Sequence, residues 1–73
     1  MPKLPVVSGT ETIRALERLG FTIARQRGSH VVLRRESSGC VVPKHQELKP
    51  GTLMGVLKQA GVSPDEFIAT LHS

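Results

Sequence analysis

Hydrophobic positions recur along this chain with two different periods, and the changes of period divide it into elements. Ile13, Leu16 and Leu19 stand at helical spacing behind Ser8-Gly9-Thr10-Glu11. That tetrad has the Ser-x-x-Glu form of a capping box, in which two side chains satisfy each other's backbone N–H groups, and Gly20 supplies a stop. A first helix over Gly9 to Leu19 is predicted. The pattern then turns extended: Phe21 to Gln26 and His30 to Arg35 are rich in Val, Ile and Thr and flank Gly28-Ser29, and Glu36-Ser37-Ser38-Gly39 leads into Cys40 to Pro43. These segments predict three antiparallel strands in a meander. Helical spacing returns with Leu53, Val56, Leu57 and Ala60, between Pro50 at the first helical position and Gly61 beyond the last. Ser63-Pro64-Asp65-Glu66 then combines an N-cap, a proline and a glutamate to start a short third helix carrying Phe67, Ile68 and Leu71.

The predicted architecture is α+β: a three-stranded antiparallel sheet with helices on one face, in the order helix, three strands, helix, short extra C-terminal helix. One sheet face is buried and the other meets water, so alternation decides which side chains a ligand can touch. Phe21, Ile23, Val31, Leu33, Cys40 and Val42 are the inward candidates. His30, Val32 and Arg34 then point outward, with Thr22, Ala24 and Gln26 beside them. If Glu36 to Gly39 forms a four-residue loop, Arg35 pairs with Cys40, Leu33 with Val42, and His30 comes opposite His45. A two-residue Gly28-Ser29 turn would set Ile23 on the His30 face, so a three-residue loop is preferred for the first hairpin, although it misplaces the glycine for the usual bulge, and the register of that hairpin stays open.

Composition narrows what such a frame can do. The chain has 73 residues and reads as a single domain spanning residues 1–73. A domain of this size buries only about 60% of the surface its unfolded chain exposes, so its stability is marginal and multi-substrate chemistry is not expected. Net charge is +4, and the excess is local: Arg25 to Lys49 carries six basic residues against two acidic, whereas the rest balances. A basic middle on a neutral frame is the footprint of an anionic partner, nucleic acid above all, although a solvated basic surface has the same composition. The single cysteine, Cys40, allows no intrachain disulfide and, next to Val41 and Val42, reads as a small buried hydrophobe. The apolar run near the N-terminus is too short for a signal peptide, and no stretch has membrane-spanning length, so a cytoplasmic protein without a membrane partner is expected.

Chemistry concentrates in Arg25-Gln26-Arg27-Gly28-Ser29-His30-Val31-Val32-Leu33-Arg34-Arg35, where one imidazole stands among four arginines. Histidine is the side chain whose ordinary titration falls near neutrality, and a positioned acid or base contributes about 10² to 10⁴ in rate. RNA can be cleaved without metal or other cofactor when a base removes the 2′-hydroxyl proton, the oxygen attacks the adjacent phosphorus, and an acid protonates the departing 5′-oxygen. Arg25, Arg27, Arg34 and Lys44 are the candidate phosphate ligands, Lys49 lies further along, and Ser29 shapes the turn that presents His30. His45 is either an acid partner for His30 or a surface residue at a strand end. A zinc site from His30, Cys40 and His45 lacks familiar ligand spacing. Phe21 and Phe67 are the only aromatic residues and both fall at core positions, so no platform for stacking bases is expected. The backbone N–H groups at Gly51 to Leu53 either hold a further phosphate or form an ordinary helix start.

Across nearly the whole length, Leu4-Pro5-Val6-Val7-Ser8-Gly9, Gly20-Phe21, Gly28-Ser29-His30, Val42-Pro43 with His45, Glu47-Leu48, Pro50-Gly51-Thr52-Leu53 and Lys58-Gln59-Ala60-Gly61 resemble the HicA (YcfA-like) toxins. The order and spacing of these strings make the likeness specific. It implies a small double-stranded-RNA-binding-domain-like α-β-β-β-α fold and a bacterial messenger-RNA interferase. It also implies a catalytic histidine in Gly-Ser-His, matched by His30, and neutralisation by a HicB antitoxin. Such a toxin is expected to be monomeric alone, and the antitoxin to cover the His30 face. A non-catalytic RNA-binding module and a protein-interaction module remain as alternatives for the same basic face.

Overall fold

Ser8 starts the first helix by the reciprocal bonds its sequence anticipates. In a computed structural model, which describes residues 4–72, Ser8 Oγ accepts from the Glu11 N–H at 3.0 Å and Glu11 Oε1 accepts from the Ser8 N–H at 2.9 Å. Helix α1 spans Gly9–Arg18. It stops one residue short of the expected limit because Leu19 is already the cap. Gly20 (φ 99°) donates to Glu17 O and Phe21 donates to Leu16 O, both at 3.0 Å, and this pair of bonds satisfies carbonyls the helix would otherwise leave open. Helix α2, Pro50–Ala60, matches expectation at both ends and closes in the same way, with Gly61 at φ 74° and Val62 donating to Leu57 O at 3.0 Å. Helix α3, Pro64–Leu71, begins at Ser63, whose Oγ accepts from the Glu66 N–H at 3.1 Å.

Strands β1 (Thr22–Arg27), β2 (His30–Arg35) and β3 (Ser38–Pro43) form one antiparallel sheet in the order β1-β2-β3. The second hairpin differs in register from the expected one, and the first, whose register the sequence leaves open, does not adopt the preferred loop. Arg27 pairs with His30, so the first loop is the two-residue Gly28-Ser29 turn and not a three-residue loop; Gly28, at φ 55°, takes the left-handed conformation such turns need. The anticipated conflict with Ile23 is removed by a β-bulge. Ile23 pairs with Leu33 and Arg25 with Val32, leaving Ala24 as the extra residue that reverses the alternation. Gln26, expected on the open face, consequently pairs with Val31 on the other side of the sheet.

The second loop is also two residues, Glu36 and Ser37, with Glu36 at φ 54°. Arg35 therefore pairs with Ser38 and Leu33 with Cys40, displacing the expected pairs by two positions; His30 lies opposite Pro43 and not His45. Ser38 and Gly39 gain ladder pairs that a four-residue loop would forfeit, which offsets the unusual backbone at Glu36. A two-residue slip leaves every side chain on its original face. For that reason Val31, Leu33, Cys40 and Val42 are buried as anticipated although their partners differ.

The core joins these residues to Leu16 of α1, Leu53 and Leu57 of α2, and Phe67 of α3, each at most 1% exposed. Burying a side chain of this size contributes about 1.5–3 kcal/mol, so much of the fold's stability resides here. Ile23 departs from expectation: it is 50% exposed. Helices α1 and α2 pack over β3, α3 packs against α1, and β1 projects beyond their cover, every one of its residues exposed. Arg35, grouped in the sequence with the other arginines, serves the fold. Its guanidinium donates to Leu19 O at 2.7 Å and lies 4.6 Å from the Phe21 ring centroid.

Candidate active site on the open face

Three strands with three outward positions each make a small grid. The registers set Thr22, Arg34 and Gly39 in one row, Arg25, Val32 and Val41 in the next, and Arg27, His30 and Pro43 in the last. Neighbours across strands have Cβ atoms roughly 4.5–5.5 Å apart, and neighbouring rows are separated by two rises of about 3.3 Å each. His30 thus sits directly beside Arg27, one row from Arg25 and two rows from Arg34. His30, Arg25, Arg27 and Arg34 are all exposed. None of these side chains has a hydrogen bond or ion pair to another described residue.

The bulge is what brings the arginines to this face. Regular alternation from the inward Phe21 and Ile23 would have directed Arg25 and Arg27 inward too. With Ala24 inserted, both share the face of His30. Sequence reading missed this device; its one trace was the clash between a two-residue Gly28-Ser29 turn and an inward Ile23.

The face is divided chemically. Its cations stand on β1 and β2, whereas the β3 positions Gly39, Val41 and Pro43 are small and apolar, with Val41 40% exposed beside the partly buried Val32 of β2, and no grid position holds a carboxylate. Guanidinium groups bind phosphate oxygens through paired N–H donors, so the β1 and β2 positions suit an anionic backbone. Phe21 and Phe67 are both buried, at 2% and 0% exposure, which leaves the described surface without an aromatic side chain for base stacking.

The remaining candidates lie around the His30 end. Ser29 is in the turn, and its carbonyl accepts the Lys44 backbone N–H. His45 and Lys44 are exposed in the segment leaving β3, and the His45 carbonyl accepts the Gly9 N–H at 2.8 Å. Gly9 has to be glycine here: a Cβ would overlap Pro43 O and fall 2.7 Å from Lys44 Cα. The start of α1, the 43–45 segment and the turn before His30 are therefore locked in series, a linkage with no signal in the sequence. Lys49 is not drawn into the group; it is the N-cap residue of α2 and makes no side-chain cap bond. Of the helix-start N–H groups considered there, that of Leu53 is already bonded to Lys49 O at 3.0 Å.

Cys40 cannot join His30 and His45 around one metal ion, because it is buried on the opposite face of the sheet. Burial pushes its thiol up to about 11. No helix among the described residues is long and apolar enough to cross a membrane.

Comparison with known proteins adds one finding. Residues 9–62 match the family model described as the HicA toxin of bacterial toxin-antitoxin systems. No curated protein matches the chain.

Proposed function

The chain belongs to the HicA toxin family of bacterial toxin–antitoxin systems, and from that premise we propose that it is a metal-independent endoribonuclease that cleaves messenger RNA with His30. The observation that carries this reading is the exposed imidazole in register with Arg27 on a carboxylate-free face. His30 acts as general base on the 2′-hydroxyl, or as general acid toward the departing 5′-oxygen. The 2′-oxygen forms a bond to phosphorus as the bond to the 5′-oxygen breaks, so the chain is cut without water entering the first step. Arg25, Arg27 and Arg34 grip phosphates as negative charge grows on the scissile group, and Lys44 and Ser29 border the His30 end. A HicB-type antitoxin neutralises the protein by covering this face, since an open sheet has no lid of its own. The site of action is the cytoplasm, where messenger RNA is translated.

Purified wild type and His30→Ala, incubated with labelled RNA in chelator, test the proposal. Wild type should cut, and the variant should lose about 10²-fold or more in rate with an unchanged circular dichroism spectrum. A fully active His30→Ala protein ends the assignment. The register favours one rival: His30 faces Pro43, so no second acid or base stands opposite it. A non-catalytic RNA-binding module using the same arginines would show salt-sensitive binding and no scission. His45→Ala, expected to slow cleavage less than His30→Ala, measures what the displaced second histidine contributes.

A further inference from the structure

The two margins of the sheet are finished differently. On the β3 margin the Val41 N–H is taken by Gln59 Oε1 of α2 at 3.3 Å, and the helix packs alongside. On the β1 margin no described residue forms a neighbouring strand, and all six residues of β1 are exposed. An antiparallel edge aims the N–H and C=O of alternate residues away from its partner, so β1 offers outward backbone groups to another strand on each side of the Ala24 bulge.

We infer that the free edge of β1 accepts an extended acidic polypeptide segment as a fourth strand. Charge selects the occupant. No carboxylate occurs between Phe21 and Arg35, and Arg25 and Arg27 flank the edge. A second copy of the chain, laid edge to edge, would set arginine against arginine, the device by which sheets repel their own copies. Nucleic acid can satisfy the guanidinium groups but has no strand-spaced row of backbone donors and acceptors to complete the ladder. An acidic strand meets both demands, and a small apolar residue on its underside would cover Ile23, which is 50% exposed. Its carboxylates would occupy Arg25 and Arg27 from the side. The consequence that such docking competes with RNA rests on the function proposed above; the docking itself does not.

The test uses the full-length protein, isotopically labelled, with a soluble peptide alternating glutamate and valine. A matched lysine–valine peptide and an acidic peptide N-methylated at alternate amides serve as controls. Only the unmethylated acidic peptide should bind, shifting and protecting amides within Thr22–Arg27, with affinity falling at least roughly tenfold from low to high salt. The double variant Arg25→Glu/Arg27→Glu should transfer the preference to the lysine peptide. Failure of the acidic peptide to bind, equal binding of both charges, indifference to N-methylation, or perturbations centred on Val41 and Pro43 would each overturn the inference. RNA cleavage with added peptide is a separate readout: if the protein proves unable to cleave RNA, the amide measurements still decide the docking.

Discussion

The β2–β3 hairpin and the β1–β2 hairpin share a strand and are built to opposite ends. β3 buries Cys40 and Val42 beneath helices and has a margin bond to Gln59, whereas β1 buries nothing and carries a bulge and two arginines. A domain this small has little stability to spare. Concentrating burial in one hairpin frees the other to hold like charges that a core could not tolerate, and those charges are what an anionic ligand requires.

Truncations should separate the covered part of the sheet from the uncovered β1 most sharply. Leu33→Ala, at a position with no exposed surface, should cost about 2–5 kcal/mol, whereas Ile23→Ala, at the paired position, should cost under about 1 kcal/mol. Urea midpoints of the two variants check this, and equal losses would abolish the distinction. Gly9→Ala comes next. A methyl forced against the 43–45 segment should destabilise by about 1–3 kcal/mol and speed hydrogen exchange at the Lys44 amide, because the bond to Ser29 O depends on that segment's position. Cys40 provides a pH test of the buried hairpin. Its thiol is raised from 9.0 to about 11 in the fold, so the stability it contributes is complete below pH 9 and is lost as pH rises toward 11. Thermal melts across that interval should fall, and a Cys40→Ala protein should fall less over the same interval. The smallest effect on folding belongs to the exposed hairpin: Arg25→Gln and Arg34→Gln should each move stability by no more than about 0.5 kcal/mol. Each should nonetheless flatten the salt dependence of RNA binding by roughly one phosphate contact. A large melting change from either would show that the open face is structural.

The sequence was most legible where a residue acts on its immediate neighbours. The capping box at Ser8, Gly61 after the end of α2 and Ser63 before α3 work through bonds spanning three to five residues, and all form, while Pro50 starts α2 through its fixed backbone angle. The exposure of His30 was also legible, because the faces survive any even slip of register. Pairing was not. His30 opposite His45 and the three-residue first loop both assumed a regular ladder and looser turns; the chain instead closes both hairpins with two residues.

What the residues determined alone was therefore the order of elements, their ends and the outward face of β2, since backbone capping and side-chain alternation are local properties. Tertiary structure decided which residues meet. The bulge at Ala24 reconciles the Ile23–Leu33 pair with the Arg27–His30 pair at the turn, a condition set between strands and invisible in any short window, and it puts two arginines beside the histidine.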